Sequence, residues 1–349
     1  DSLSVSGVVS GALTASSTGA ISQFGALQVT GAMALTGASV SLADPANDFS
    51  GQVTVTAGAT AISDTNDLKV SLTTGETKLT TSGALLVSGV VSGALMASSN
   101  GAISQFGTLK VTGATTALTG ASVSMADPAN DFIGQVTVTA GVTAISDAND
   151  LKISLATGET KLSARDSLSV SGVVSGALTA SSTAAITQFG TVKVTGATAL
   201  SGASVSVADP ANDFSGVVTV TAGITAISDT NDLKVSLTTG ETKLTTGGML
   251  ALSGVVSGAL TVSSTGSISQ FGTLKVTGST ALTGAIVSLA DPANDFIGQV
   301  TVSAGATAIS DANDLKVSLT TGETKLTTGG VLSVSGVVSG ALTATTTGA

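Results

Sequence analysis

"DPANDFSGQVTVTAG", residues 44–58, is a turn followed by a strand, and its reading decides the fold class. Pro45 fixes its φ at about −65°, and Asp and Asn bond readily to their own backbone at corners, so residues 44–48 turn. From Gln52 the pattern has period 2: Val53 and Val55 face one way, Thr54 and Thr56 the other, until Gly58 ends the run. "LKVSL" (68–72) and "ASVSLAD" (38–44) alternate in the same manner. Such alternation marks half-buried strands. Helical i, i+3, i+4 spacing is absent, and β-branched residues with frequent glycine oppose helix. The chain reads as all-β.

Close copies of the opening stretch begin at Asp127, Asp209 and Asp291. "SGVVSGAL" starts at Ser6, Ser88, Ser171, Ser253 and Ser335, in steps of 82, 83, 82 and 82. The extra residue falls in "GATTALTG" (113–120), against "GAMALTG" (31–37), and an insertion with both flanks intact marks a loop or bulge. Residues 1–349 therefore read as one continuous array, with modules at about 1–83, 84–165, 166–248 and 249–330 and a partial fifth at 331–349. The sequence starts and stops inside a repeat, with no signal peptide at Asp1, and reads as a segment of something longer.

Composition limits the architecture. Aromatics are 2% of the 349 residues, all of them Phe, and charged residues are 10%. The core must be thin and built from small side chains. Propeller blades carry aromatic signatures, and immunoglobulin-like sandwiches want a large core aromatic. A parallel β-solenoid fits better. Four coils of about 20 residues fill a module, some 17 coils in all at about 4.8 Å each, although three longer coils per module remain open. Identical positions in successive modules are then expected to form ladders, as at Val53, Val136, Val218 and Val300.

The same composition excludes functions. With 12 basic and 22 acidic residues, the net charge of −10 opposes nucleic acid and anionic membrane surfaces. Gly, Ser or Thr interrupts every apolar run well before it could cross a bilayer, so no membrane insertion is expected. Without Cys there are no disulfides or thiolate metal sites, and without His or Cys the usual base and thiol nucleophile are missing. No glycine loop has phosphate-cradling spacing. The chain is not expected to be an enzyme.

The acidic turns are the candidate sites. Asp64, in "SDTNDL", follows Asp44 by close to one coil, so the two turns should lie one above the other. Structurally, Asn47, Asn66, Asn130, Asn149, Asn212, Asn231, Asn294 and Asn313 read as turn residues that tolerate left-handed geometry and bond to their own backbone at corners, and that can also stack their amides in a ladder. Alternatively Asp44, Asp48, Asp64 and Asp67, and their repeats, repel one another on adjacent coils and would be relieved by calcium, a hard cation taking oxygen ligands. Calcium is the one cofactor the sequence admits, and the glycine-rich calcium nonapeptide is absent. "GETKL" places Glu76 and Lys78 outward on one strand, a solvated pair that discourages lateral pairing. The phenylalanines Phe24, Phe49, Phe106, Phe132, Phe189, Phe214, Phe271 and Phe296 are expected to plug the core, with an exposed recognition strip as the alternative.

"SGALTASSTGAISQFGALQVTG" (10–31) followed by "DPANDFSGQVTVTAGATAISD" (44–64) resembles the repeat body of filamentous-haemagglutinin-like and autotransporter-type exoproteins of Gram-negative bacteria. The resemblance spans essentially the whole chain. It implies a right-handed parallel β-solenoid (β-helix), an extracellular or bacterial cell-surface location, and a structural role as the shaft of a filament or adhesin in attachment, biofilm or matrix. The expected partner is the protein itself, head-to-tail or within a longer chain. The competing reading is a repeat surface that itself binds glycan or a host ligand. Regular outward threonines also admit ice binding.

Overall fold

Each coil of this chain hydrogen-bonds to the coil before it. The computed structural model describes residues 1–347 and contains 34 strands and, among the described residues, no helix. Strands pair in parallel with a partner one coil away, as Leu95 does with Thr116 and Val53 with Val70. The chain divides into two compact units, Asp1–Val173 and Val174–Ala349. Each is a parallel β-solenoid built by the same rule, and about 19 turns are present in total where 17 were expected.

The rule follows from the ladders. In the first unit Leu13 pairs with Met33, Met33 with Val53, Val53 with Val70, and Val70 with Val87. Four turns are then complete. Half a turn further lies Leu95, the repeat equivalent of Leu13, in the other ladder: Leu3, Ile21, Val40, Thr60, Thr77, Leu95. The second unit repeats this. Leu178, Thr198, Val218, Val235 and Leu252 stack, and Leu260 belongs to the opposite ladder of Ile186, Val205, Thr225 and Thr242. Leu342, one module further on, returns to the side of Leu178 through Leu250, Ile268, Val287, Thr307 and Thr324.

A module therefore makes four and a half turns, and its coils are shorter on average than a division into four implies. Within each unit, neighbouring modules are related by a half turn, so their identical positions do not stack. Val53 lies on Val70, while Val136 belongs to the other ladder, beneath Thr116. The identical-position ladder expected from sequence is replaced by mixed columns of Val, Leu, Ile and Thr. These columns form because both halves of a coil carry the same kind of inward residue.

Corners interrupt the period-2 pattern at fixed places. In Leu68–Thr81 the inward residues are Leu68, Val70, Leu72 and Thr74, and then Thr77, Leu79 and Thr81. The phase slips at Gly75 and Glu76, where the strand bends from one ladder to the other. Gly75 is required there, because a Cβ would overlap the carbonyl oxygen of Gly58 in the coil above. The inserted residue of the second module lies at such a bend, where Thr115–Thr119 begins.

The core contains hydroxyls as well as methyls. Thr74 and Thr77 face inward and share a hydrogen bond of 2.7 Å between hydroxyls. Thr60, Thr143, Thr225 and Thr307 are also buried, but their Oγ1 atoms have no partner. A buried donor without a partner costs about 1–3 kcal/mol, so Thr143→Val, which keeps the shape, is expected to stabilise the protein by about 1 kcal/mol. Thr77→Val should do the opposite by orphaning Thr74. Urea denaturation midpoints of the two variants check both signs, and destabilisation by Thr143→Val would contradict the reading.

Candidate functional site

The two acidic turns of a module do stack. The backbone N–H of Thr65 donates to the carbonyl of Asn47 at 2.8 Å, and Ala148, Thr230 and Ala312 bond in the same way to Asn130, Asn212 and Asn294. The turns are not equivalent, however. Asn47, Asn130, Asn212 and Asn294 are fully buried, whereas Asn66, Asn149, Asn231 and Asn313 are exposed.

The difference begins one coil earlier. Between Val5 and Gly7 on one strand and Gln23 and Leu27 on the next, the register shifts because the lower strand carries two extra residues. This bulge leaves the Leu27 N–H without a ladder partner. Asn47 supplies one: its Oδ1 accepts from Leu27 N at 2.8 Å and from Gln23 Nε2 at 3.0 Å. Its Nδ2 donates to Gln23 Oε1 and to the Leu42 carbonyl, both at 3.0 Å. The same amide pair recurs as Gln105–Asn130, Gln188–Asn212 and Gln270–Asn294. The glutamines escaped the sequence reading, although their fixed place in "QFG" repeats as faithfully as the asparagines.

Two sequence expectations fail here. No described non-glycine residue has positive φ, so none of the eight asparagines takes left-handed geometry. Nor do their amides form a ladder, since the stacked partners lie at different depths. Asn149 and Asn313 instead donate through Nδ2 to Asp131 and Asp295, at 3.3 Å.

The aspartates separate in the same way. Asp64 is buried: its Oδ2 accepts from Phe49 N in the preceding coil at 2.9 Å, and its Oδ1 from Asn66 N, two residues on, at 2.7 Å. Asp147, Asp229 and Asp311 repeat this arrangement. Asp44 is half-buried, with Oδ1 accepting from Ala46 N at 3.0 Å, and the exposed Asp67 accepts through Oδ1 from Ala84 N at 2.6 Å in the next coil. Asp44, Asp64 and Asp67 are thus each bonded to backbone N–H groups, at different depths. Among the described residues, no three acidic side chains converge where they could hold a metal ion.

Burial raises the pKa of Asp64, Asp147, Asp229 and Asp311, with that of Asp147 pushed up to about 6. In each case, desolvation outweighs the two backbone hydrogen bonds, and neighbouring aspartates add to the rise. The folded state therefore holds these protons more tightly than the unfolded chain. Stability from these groups is fully present below the unfolded value of about 3.9 and falls as pH rises through the folded value. The melting temperature is expected to rise between pH 7 and about pH 4.5, opposite to ordinary acid denaturation. A lower melting temperature in acid would refute this.

The phenylalanines divide into two sets. Phe49, Phe132, Phe214 and Phe296 plug the core as expected. Phe24, Phe106, Phe189 and Phe271 are instead exposed, Phe24 at 76%, because the bulge turns them outward. The Lys69 ammonium lies 4.6 Å from the Phe106 ring centroid, and Lys234 lies 4.5 Å from that of Phe271. Glu76 and Lys78 are both exposed at the corner after Gly75, as expected.

One pair of corner positions alternates between modules. Ile297 and Ala312 line a single open groove beside Asp295 and Asp314. The equivalent pairs are Ser50 with Thr65, Ile133 with Ala148, and Ser215 with Thr230. The half turn between neighbouring modules gives each unit a hydroxyl-bearing corner on one edge and an isoleucine-bearing corner on the other. Ile133 and Ile297 are 67% and 69% exposed.

No curated protein and no solved structure matches the chain. A family of repeats of unknown function, DUF5649, matches residues 1–56, 74–139, 140–221 and 239–303, together well over half of the sequence. With its solenoid modules and their recurring corners, the chain belongs to that DUF5649 repeat family.

Proposed function

We propose that the chain is the β-solenoid shaft of a bacterial surface filament or adhesin, an extracellular structural part that serves attachment, biofilm or matrix. The observation that carries this reading is the repetition of structural bonds. Each module spends its buried polar groups on the same Asn–Gln pair and the same carboxylate clasp, and these tie one coil to the next. Such a module propagates an architecture and stabilises it through its nearest neighbours. The phrases shared with filamentous-haemagglutinin-like exoproteins support the same role and the cell-surface location. We propose no catalytic role toward an external substrate, because the buried carboxylates of Asp64, Asp147, Asp229 and Asp311 each hold two backbone N–H groups of the fold.

The proposed partner is another coil of the same repeat, from this chain or another. Val87 and Leu95 are fully buried beneath the following coil, so each coil of the repeat presents a complete parallel rung to the next. Electron microscopy of the native material tests the reading: thin uniform filaments are expected, and isolated globular particles would overturn it. The outward phenylalanines favour one rival, a repeat surface that binds glycan. Glycan-array binding abolished by Phe106→Ala would favour that rival.

A further inference from the structure

We propose that the four Asp–Pro bonds, Asp44–Pro45, Asp127–Pro128, Asp209–Pro210 and Asp291–Pro292, are self-cleavage sites that the folded chain hydrolyses in mild acid, with water as the only co-reactant. The inference goes beyond the structural role and does not depend on it. These are the four prolines of the chain, each preceded by aspartate and each at the same place in its module.

Geometry prepares the bond for attack from its own side chain. Oδ1 of Asp44, Asp127, Asp209 and Asp291 accepts from the backbone N–H two residues on, at 3.0, 2.9, 2.9 and 2.9 Å. To reach that donor the carboxyl must fold toward the C-terminal side, alongside the bond that would break. The backbone carbonyl oxygen of the same aspartate accepts from the N–H of the buried asparagine three residues on, at 3.2 Å for Asn47 and 3.1 Å for the other three. That bond draws electron density from the carbonyl carbon and would support an oxyanion there. The asparagine donating it is held by its amide pair, so the arrangement is rigid. In the second and fourth modules, Thr108 and Thr273 hydroxyls lie 3.4 Å from the remaining oxygen, Oδ2, of Asp127 and Asp291.

The step balances as follows. A carboxylate oxygen adds to the carbonyl carbon of its own residue, closing a five-membered ring. The carbon–nitrogen bond to proline breaks, and its electron pair stays on the nitrogen, which takes a proton from the acidic solvent. Proline is a good leaving group because its ring nitrogen is a secondary amine once released. The cyclic anhydride left on the aspartate adds one water and opens to two carboxyl groups. The net reaction consumes one water and leaves an aspartate C-terminus and a proline N-terminus. No oxidant, metal or cofactor is needed.

The cut would also leave the solenoid standing. Met33–Leu42 and Asp48–Phe49, on either side of the turn, both pair with Ala20–Val29, so neither depends on the severed bond for its place. The raised pKa of the Asp64 set suits a fold that persists in acid.

The test is incubation of the whole chain near the ordinary aspartate pKa, about 3.9. Denaturing electrophoresis and mass spectrometry should find fragments 1–44, 45–127, 128–209, 210–291 and 292–349, four of them with N-terminal proline. Native size exclusion should be unchanged. Asp127→Ser keeps a short acceptor for the Ala129 N–H but removes the nucleophile, and Pro128→Ala removes the leaving group. Each should slow cleavage at that bond alone by about tenfold or more, since attack by a tethered group is what accelerates it. Circular dichroism confirms that both variants are folded. No fragments, fragments distributed equally among other aspartyl bonds, or cleavage confined to the urea-unfolded chain would each overturn the proposal.

Discussion

Gly89→Ala is expected to destabilise the coils around residues 68–111 by about 3 kcal/mol or more, among the largest effects available to a single methyl group. Gly89 has φ of 110°, a region that an L side chain rarely adopts, and its equivalents Gly7, Gly172, Gly254 and Gly336 lie between 103° and 113°. The position is set by the bulge. Gly89 pairs with Leu72 on one side and with Leu109 on the other, just where the strand below has absorbed its two extra residues. A Cβ there would overlap the Leu72 carbonyl oxygen, which is itself part of the ladder. Relief would require opening a rung. Gly107→Ala is the control: its Cβ would meet Ser88 Cβ at 3.5 Å, an ordinary contact, so the change should stay within about 0.5–1 kcal/mol. Native-state hydrogen exchange should show protection lost locally in Gly89→Ala and retained in distant coils, because coils stabilise only their neighbours. Equal behaviour of the two variants would show that the backbone conformation at Gly89 is not what the bulge requires.

The solenoid was legible because its signals are local. Val53 and Val55 alternate with threonines, glycines mark the corners, and the repeat stands out at a step of 82 or 83. The number of turns was not legible. Inward residues in both halves of a coil are drawn from the same small set. Coil lengths are also unequal, as the steps from Leu95 to Thr116 and from Val53 to Val70 show, so no simple division of the repeat reveals the half turn. The site was half legible for a related reason. "PAND" and "DTND" look alike, yet Asn47 is buried and Asn66 exposed, because only the first lies over the bulge at Gln23–Gly25. Phe24 and Phe49 diverge likewise: one sits in that bulge and the other follows the turn. Thr60 faces the core although alternating threonines read as outward, since the corner at Gly58 has already shifted the phase by then. The failures at the asparagines and at Phe24 trace to contacts a whole coil away in sequence, beyond the reach of local pattern, while that at Thr60 follows from the corner beside it.

Asn130→Leu is expected to cost about 3–5 kcal/mol, because it strips partners from several buried groups at once and each orphan costs about 1–3 kcal/mol. The Leu109 N–H would lose its acceptor at 2.8 Å, the Met125 carbonyl its donor at 3.0 Å, and the Gln105 amide both of its bonds to Asn130. Leucine is close in size, so the effect reports polar groups and not volume. Asn130→Asp separates the contributions further. An ionised carboxylate could still accept from Leu109 N and Gln105 Nε2, but it could not donate to Met125 O or Gln105 Oε1, and it would bury a charge. Protonation restores one donor and removes the charge. The aspartate variant should therefore be severely destabilised at neutral pH and recover part of the loss as pH falls, while the leucine variant stays low throughout. Urea denaturation of the two variants across that pH range reads the difference. Parallel curves would mean that Asn130 acts through its shape, and the amide pair would then not be what joins the bulge to the acidic turn.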